Sequence, residues 1–249
     1  MKRMILISAL LCASLAAMAH VRITTPETEI VLKADAGSGL KVLYYGARLS
    51  DADVAGLEAA GAAWVDAYPA YGFHCAGEAS IGVTHADGNM STVLKVDTVS
   101  QSHEDGAQIT RIRLKDTVYP FYVTVCYKAY QDVDMIETWT EIENLGKKAV
   151  TLTRFDSGHL PVRVGDVWVS HLHGTWAAEG RLTQEPLERG MMVIKNKDGA
   201  RNAHTDHSEV MFSLDGKPQE NAGRVIGAAL CYSGNYELRI DTRDTDYHE

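Results

Sequence analysis

The chain has 249 residues, of which 33 are acidic and 24 basic, giving a formal net charge of −9. That acidic balance excludes nucleic acid and anionic membrane surfaces as partners, and a chain of this length builds a core without covalent staples. Its four cysteines describe neither a disulfide scaffold nor a zinc site: Cys12 falls in the leading segment, and Cys75, Cys126 and Cys231 are odd in number and widely spaced.

Residues 1–19 read as a signal peptide: Lys2 and Arg3 start it, Met4 to Ala17 is apolar, and Ala17-Met18-Ala19 fits a small-x-small cleavage site. The apolar run is too short for a membrane span, so the expectation is export to the periplasm or beyond, with residues 20–249 as one domain. From there the dominant signal is strand. TEIVLK (Thr28 to Lys33) and KVLYYG (Lys41 to Gly46) alternate with period two and are rich in β-branched and aromatic residues. The stretch from Ser50 to Val65 is the one helical pattern, capped by Ser50 with Asp53 three residues on, although its two glycines weaken it.

The strand pattern resumes with STVLKVDTV (Ser91 to Val99), AQITRIRLK (Ala107 to Lys115) and FYVTVCYKAY (Phe121 to Tyr130). In the last, Val123, Val125 and Tyr127 share one face, with Thr124, Cys126 and Lys128 on the other. MIETWTEIEN, AVTLTRFD, HLPVRVGDVWVSHLH, RVIGAALCY and YELRID continue the theme, with turn signals such as Glu104-Asp105-Gly106 and Asp215-Gly216 between strands. Many short strands joined by tight turns predict an all-β fold, a large two-sheet β-sandwich.

Chemistry is sparse. Cleavage after Ala19 would make His20 the mature N-terminus, where an amine and an imidazole together suit copper, with a second histidine from His74, His85, His103, His171 or His204. His171-Leu172-His173 puts two imidazoles on one strand face, but no third ligand stands at a recognisable spacing, and His204 with His207 has no more support. Surface or turn histidines are the commoner explanation, and no cofactor is expected. Carboxylates are plentiful, yet no pair is marked out for glycoside cleavage. There is no Gly-x-Ser-x-Gly elbow and no phosphate-cradling glycine loop.

Six segments, in order, carry a resemblance. They are YPAYG (Tyr68 to Gly72), HADGN (His85 to Asn89), IENLGKKAVTLTR (Ile142 to Arg154), the Leu172, Gly174, Trp176, Glu179 element followed by Pro186-Leu187, DGARNAH (Asp198 to His204), and GAALCYSGNYELRID (Gly227 to Asp241). Together they resemble the N-terminal domain of family 36 glycoside hydrolases, the α-galactosidases, from about residue 21 onward.

The resemblance implies a β-supersandwich of the galactose-mutarotase-like kind, followed in the family by a (β/α)8 barrel and a small C-terminal β-domain. Family members hydrolyse terminal α-galactosyl residues with retention, using a nucleophile in a Trp-Asp motif and an acid/base aspartate, both in the barrel. None of the four tryptophans here precedes an aspartate, so no catalytic residue is expected in this chain, and α-galactoside oligosaccharides would be met through the barrel. Cys75 and Gly77 stand where the family pattern has aspartate and arginine. The loop after Tyr44-Tyr45-Gly46, which in some relatives reaches a neighbouring subunit's active site, is short, leaving Asp51 or Asp53 as possible substitutes in a homo-oligomer. Trp176 and Glu179 are expected where the sandwich turns toward the barrel, the indole buried and Glu179 accepting hydrogen bonds, with His204 as a further interface candidate; sugar stacking on Trp176 is the sharper alternative. Two other classes remain open: a free-standing carbohydrate-binding sandwich, and a copper enzyme built on His20.

Overall fold

The structure, a computed structural model, describes residues 20–62, 65–72, 77–201, 204–244 and 247–249. The proposed signal peptide, Trp64, His74 and Cys75 lie outside these residues. The described chain is all-β with antiparallel sheets, as the alternation predicts, and groups into two compact units, the first ending at Leu160 and the second running from Pro161 to Glu249. Among the described residues no helix is long and apolar enough to cross a membrane.

In the first unit, β1 (Val21–Thr24), β2 (Thr28–Lys33), β3 (Lys41–Ala47) and β4 (Val65–Asp66) form one sheet in chain order. A second sheet joins β6 (Leu94–Glu104), β7 (Ala107–Asp116), β8 (Phe121–Tyr130) and β9 (Ile136–Asn144), and β5 (Ile81–Thr84) pairs with β10 (Thr151–Phe155). The β6–β7 hairpin turns on Asp105 (φ 50°) and Gly106 (φ 75°), the two positive dihedrals that a tight turn matching strand twist requires. Val123, Val125 and Tyr127 do point into the core, beside Ile23, Leu32 and Ile112. Cys126, on the opposite face, is nevertheless fully buried.

The helix α1 (Asp51–Ala59) is shorter than the pattern suggested. Ser50 caps it as expected, its hydroxyl accepting from the Asp53 N–H while the Asp53 carboxylate accepts from the Ser50 N–H. Gly61 then adopts φ 75°, a left-handed conformation that stops the helix before Val65–Asp66 pair as β4.

The second unit has a four-stranded sheet in the order β12 (Arg181–Pro186), β11 (Trp168–His173), β14 (Asp206–Ser213), β15 (Val225–Ala229). Its other sheet is β13 (Gly190–Asn196), β16 (Tyr236–Asp244) and β17 (Tyr247–His248). Val169 and Val210 from the first meet Ile194 and Ile240 from the second in a small core. HLPVRVGDVWVSHLH was expected to be strand throughout. Only Trp168–His173 is, because Pro161 and Gly165 interrupt the earlier part and Val162 makes just a single bridge to His248.

Candidate functional site

Most family-like segments of the first unit are structural. The Tyr68 hydroxyl lies 3.0 Å from the Asp156 carbonyl, and burial pushes its pKa up to about 12. Gly72 ends the same segment at φ 99°, where an added Cβ would sit 2.6 Å from Ser91 Cα. In HADGN the His85 ring stacks on Tyr119 at 3.7 Å, edge-on to Phe121, with Nε2 3.3 Å from the Thr92 hydroxyl. Tyr119 donates to Asp87 at 2.7 Å and accepts from the Asn89 amide at 2.9 Å, and the Tyr119 hydroxyl holds the Asp87 carboxyl below the usual carboxylate range. The Asn144 side chain closes the turn that follows β9, accepting from Gly146 N–H and donating to the Lys148 carbonyl.

Asp51 and Asp53 stand at the start of α1. Asp53 is committed to the cap, and the Ser50 hydroxyl is the main reason its acidity is strengthened. Asp51 is solvent-exposed and pairs with Arg22. Arg22 also forks onto Glu29, a carboxylate with no exposure, at 3.0 and 2.6 Å, while Glu29 accepts from the Leu49 N–H at 2.9 Å. An open depression of about 500 Å³ lies beside them, lined by Arg22, Arg48, Ser50, Asp51, Gln101 and Gln108 among others. This cluster was invisible in TEIVLK, whose alternation gave no sign that Glu29 would be enclosed.

In the second unit three separate segments converge. The turn between β11 and β12 carries Trp176 and Glu179, with Ala177 at φ 58° and Gly180 at φ 70°. Its Gly174 N–H donates to the Thr205 carbonyl at 2.8 Å, tying it to the end of DGARNAH. Asn196, buried at the end of β13, holds the rest: its amide donates to the Gly199 and Gly234 carbonyls at 2.6 and 3.0 Å. Its oxygen accepts from the Asp198 N–H at 3.0 Å and the Thr205 hydroxyl at 3.1 Å. Every polar site of that side chain is used. Gly199 N–H completes the knot by donating to Asn235 at 2.8 Å. Sequence reasoning passed over Asn196, which sits in an ordinary polar stretch, KNKDG.

Glu179 accepts from the Ala177 N–H within its own turn at 3.2 Å, as expected, and His204 Nε2 approaches it at 3.7 Å. Glu179 and His204 are therefore brought together, with Trp176 in the same turn as Glu179. Within this chain the Trp176 side chain is 83% exposed. It projects from the turn between β11 and β12, where no described residue covers it. An exposed indole can stack on a sugar ring or pack against a protein surface.

The other candidates are dispersed. His20 lies 3.2 Å from Glu58 of α1. The His171 and His173 rings are 6.2 Å apart, and His171 approaches Glu185 and Asp206 at 3.7 Å each. Among the described residues no group of three or more His, Cys, Asp or Glu is placed to hold a metal. Cys126 and Cys231 are free thiols. Two carboxylate pairs share an arginine: Glu78 with Asp156 on Arg154, and Asp241 with Glu249 on Arg243.

The profile of the glycosyl hydrolase family 36 N-terminal domain matches residues 38–248. Alpha-galactosidase AgaA of Geobacillus stearothermophilus is 28% identical over 139 residues, which is 56% of this chain and 19% of that protein. Alpha-galactosidase Mel36A of Lactobacillus acidophilus is 28% identical over 138 residues, 55% of this chain and 19% of that protein. Among solved structures, AgaA in complex with stachyose superposes at a TM-score of 0.82 with 20% identity, covering 92% of this chain and 36% of that one. AgaB from the same organism also reaches 0.82 at 20% identity, covering 96% of this chain and 37% of its own. The chain thus spans about a fifth of the curated relatives and little more than a third of the solved ones.

Proposed function

The chain belongs to the family 36 glycosyl hydrolase N-terminal domains, and from that membership we propose that it is the non-catalytic β-sandwich of an exported α-galactosidase. In this reading residues 1–19 direct export. A barrel domain elsewhere in the same polypeptide hydrolyses terminal α-galactosides with retention, and this domain supports it. The Trp176, Glu179 and His204 cluster faces that barrel, and Asp51 with Asp53 lies toward a neighbouring subunit. The observation that carries the reading is the fold match over 92% of this chain to only 36% of an α-galactosidase solved with stachyose. The nucleotide sequence beyond codon 249 tests it: an open frame encoding a barrel with a Trp-Asp motif is expected, and an immediate stop codon would overturn it.

A second reading rests on the exposure of Trp176. A free-standing carbohydrate-binding sandwich would present such an indole to a sugar. Titration with raffinose, on the wild type and on Trp176→Ala, separates the two: binding that disappears with the indole favours this second reading.

A further inference from the structure

We propose that Asn89 is an acceptor for an N-linked glycan, displayed on the loop between β5 and β6. Asn89-Met90-Ser91 is an Asn-x-Ser triplet whose middle residue is not proline, the pattern that oligosaccharyltransferases read. Of the six asparagines in the chain, it alone has serine or threonine two places on. Such a triplet serves as an acceptor where the chain is displayed at the surface and the side-chain amide is not fully committed. The loop meets both conditions.

Every residue from Ala86 to Ser91 is exposed, Met90 by 47%. The loop is nonetheless ordered from within. Asp87 Oδ1 accepts from the Asn89 N–H at 3.0 Å, and Asn89 Oδ1 accepts from the Ser91 N–H at 3.1 Å. These two successive turns, each closed by a side-chain oxygen, fold the Asn89 amide back onto Ser91. The Ser91 hydroxyl, which completes the triplet, has no hydrogen-bond partner among the described residues. Asp87, two places before Asn89, adds an exposed negative charge that a cationic group of a transferase can meet.

The Asn89 amide nitrogen is half used. One N–H donates to the Tyr119 hydroxyl at 2.9 Å, and among the described residues nothing accepts from the other. Transfer forms a bond between that nitrogen and C1 of a sugar carried on a polyprenyl diphosphate. The C1–O bond breaks, the diphosphate leaves with its electron pair, and the displaced amide proton passes to a carboxylate of the transferase. The product is a secondary amide that keeps one N–H and its carbonyl oxygen, enough for the Tyr119 and Ser91 bonds. The loop therefore tolerates the glycan. Asn196 is the contrast: it is buried, and both its N–H groups are spent on the Gly199 and Gly234 carbonyls. Transfer of this kind happens outside the cytosol, so the proposal rests on export but not on the galactosidase reading.

Incubating the folded full chain with a purified bacterial oligosaccharyltransferase and a polyprenyl-diphosphate-linked oligosaccharide tests the acceptor without relying on export. Peptide mass mapping should find the oligosaccharide on the peptide that holds Asn89. Ser91→Ala should lose the transfer, and Ser91→Thr, which restores a hydroxyl, should regain it, with the circular dichroism spectrum unchanged in both. In a bacterium whose periplasmic membrane carries the same transferase, the chain should start at His20 and bear the glycan. A chain that keeps residues 1–19 there would refute export alone, because transfer in solution still decides the acceptor. Asn89 left bare in solution or on an exported chain, or Ser91→Ala modified like the wild type, would overturn the proposal.

Discussion

Replacing Arg22 by methionine should destabilise the first unit by an amount that its surroundings set. Arg22 on β1 forks onto Glu29 on β2, whose side chain has no exposure. Without the guanidinium the carboxylate keeps the Leu49 N–H but no counter-charge. Stranding one partner of a buried ion pair costs about 3–5 kcal/mol. The Arg22 side chain is 25% exposed, so water can reach the vacated space, and the lower end, about 3 kcal/mol, is expected. For a protein of this size that corresponds to roughly 6–12 °C in melting temperature. Asp51, the other carboxylate on Arg22, is 98% exposed, and Asp51→Ala should leave the melting temperature nearly unchanged. The double variant Arg22→Met, Glu29→Met removes both charges and should recover most of the loss. Thermal and urea unfolding of the wild type, Arg22→Met, Glu29→Met and the double variant closes the cycle. If Arg22→Met alone costs under about 1 kcal/mol, or the double variant is worse than the sum of its parts, the picture of a buried, mutually dependent pair is wrong.

Trp176→Ala should change stability by less than about 0.5 kcal/mol, because the indole is 83% exposed; a loss above 2 kcal/mol in a melting experiment would place it in a contact instead. Burial, and then Glu141 beside it, pushes the Cys126 thiol up to about 12, so it stays protonated at pH 8. Iodoacetamide should therefore label Cys231, which is exposed, and spare Cys126 until urea is added; peptide mass mapping reads this directly. The Asp134 carboxyl is held below the usual carboxylate range chiefly by the Thr25 hydroxyl and then by Thr28, which donates at 2.8 Å. A depressed folded value gives stability that is present above the unfolded value, about 3.9, and is lost as pH falls through the folded one. Asp134→Asn should lower the urea midpoint at pH 7 and converge with the wild type well below pH 4. A gap that stays constant with pH would refute that linkage.

Strands that alternate strongly and sit centrally were legible: β2 and β8 match the predicted TEIVLK and FYVTVCYKAY residue for residue. β12 and β13 were not, because both present residues to solvent on either face, and RLTQEP with GMMVIKN shows no clean period. The three-residue coincidence of Trp176, Glu179 and His204 was partly readable from the family-like segments. Its cement was not, since nothing local distinguishes Asn196 from a surface asparagine until two loops close on it. The exposure of Trp176 within this chain was not legible for a related reason. A tryptophan is usually buried, but whether one is covered depends on surfaces that a local pattern does not describe. Glu29 misled in the other direction, because enclosure by the Leu49 segment is a tertiary event.

The central claim is that this domain supports galactoside hydrolysis without performing it. Incubating the purified chain with p-nitrophenyl α-galactoside measures that directly. No release of p-nitrophenol above the blank is predicted, at any chain concentration. Release that scales with the amount of chain and is abolished by heat denaturation would contradict the account.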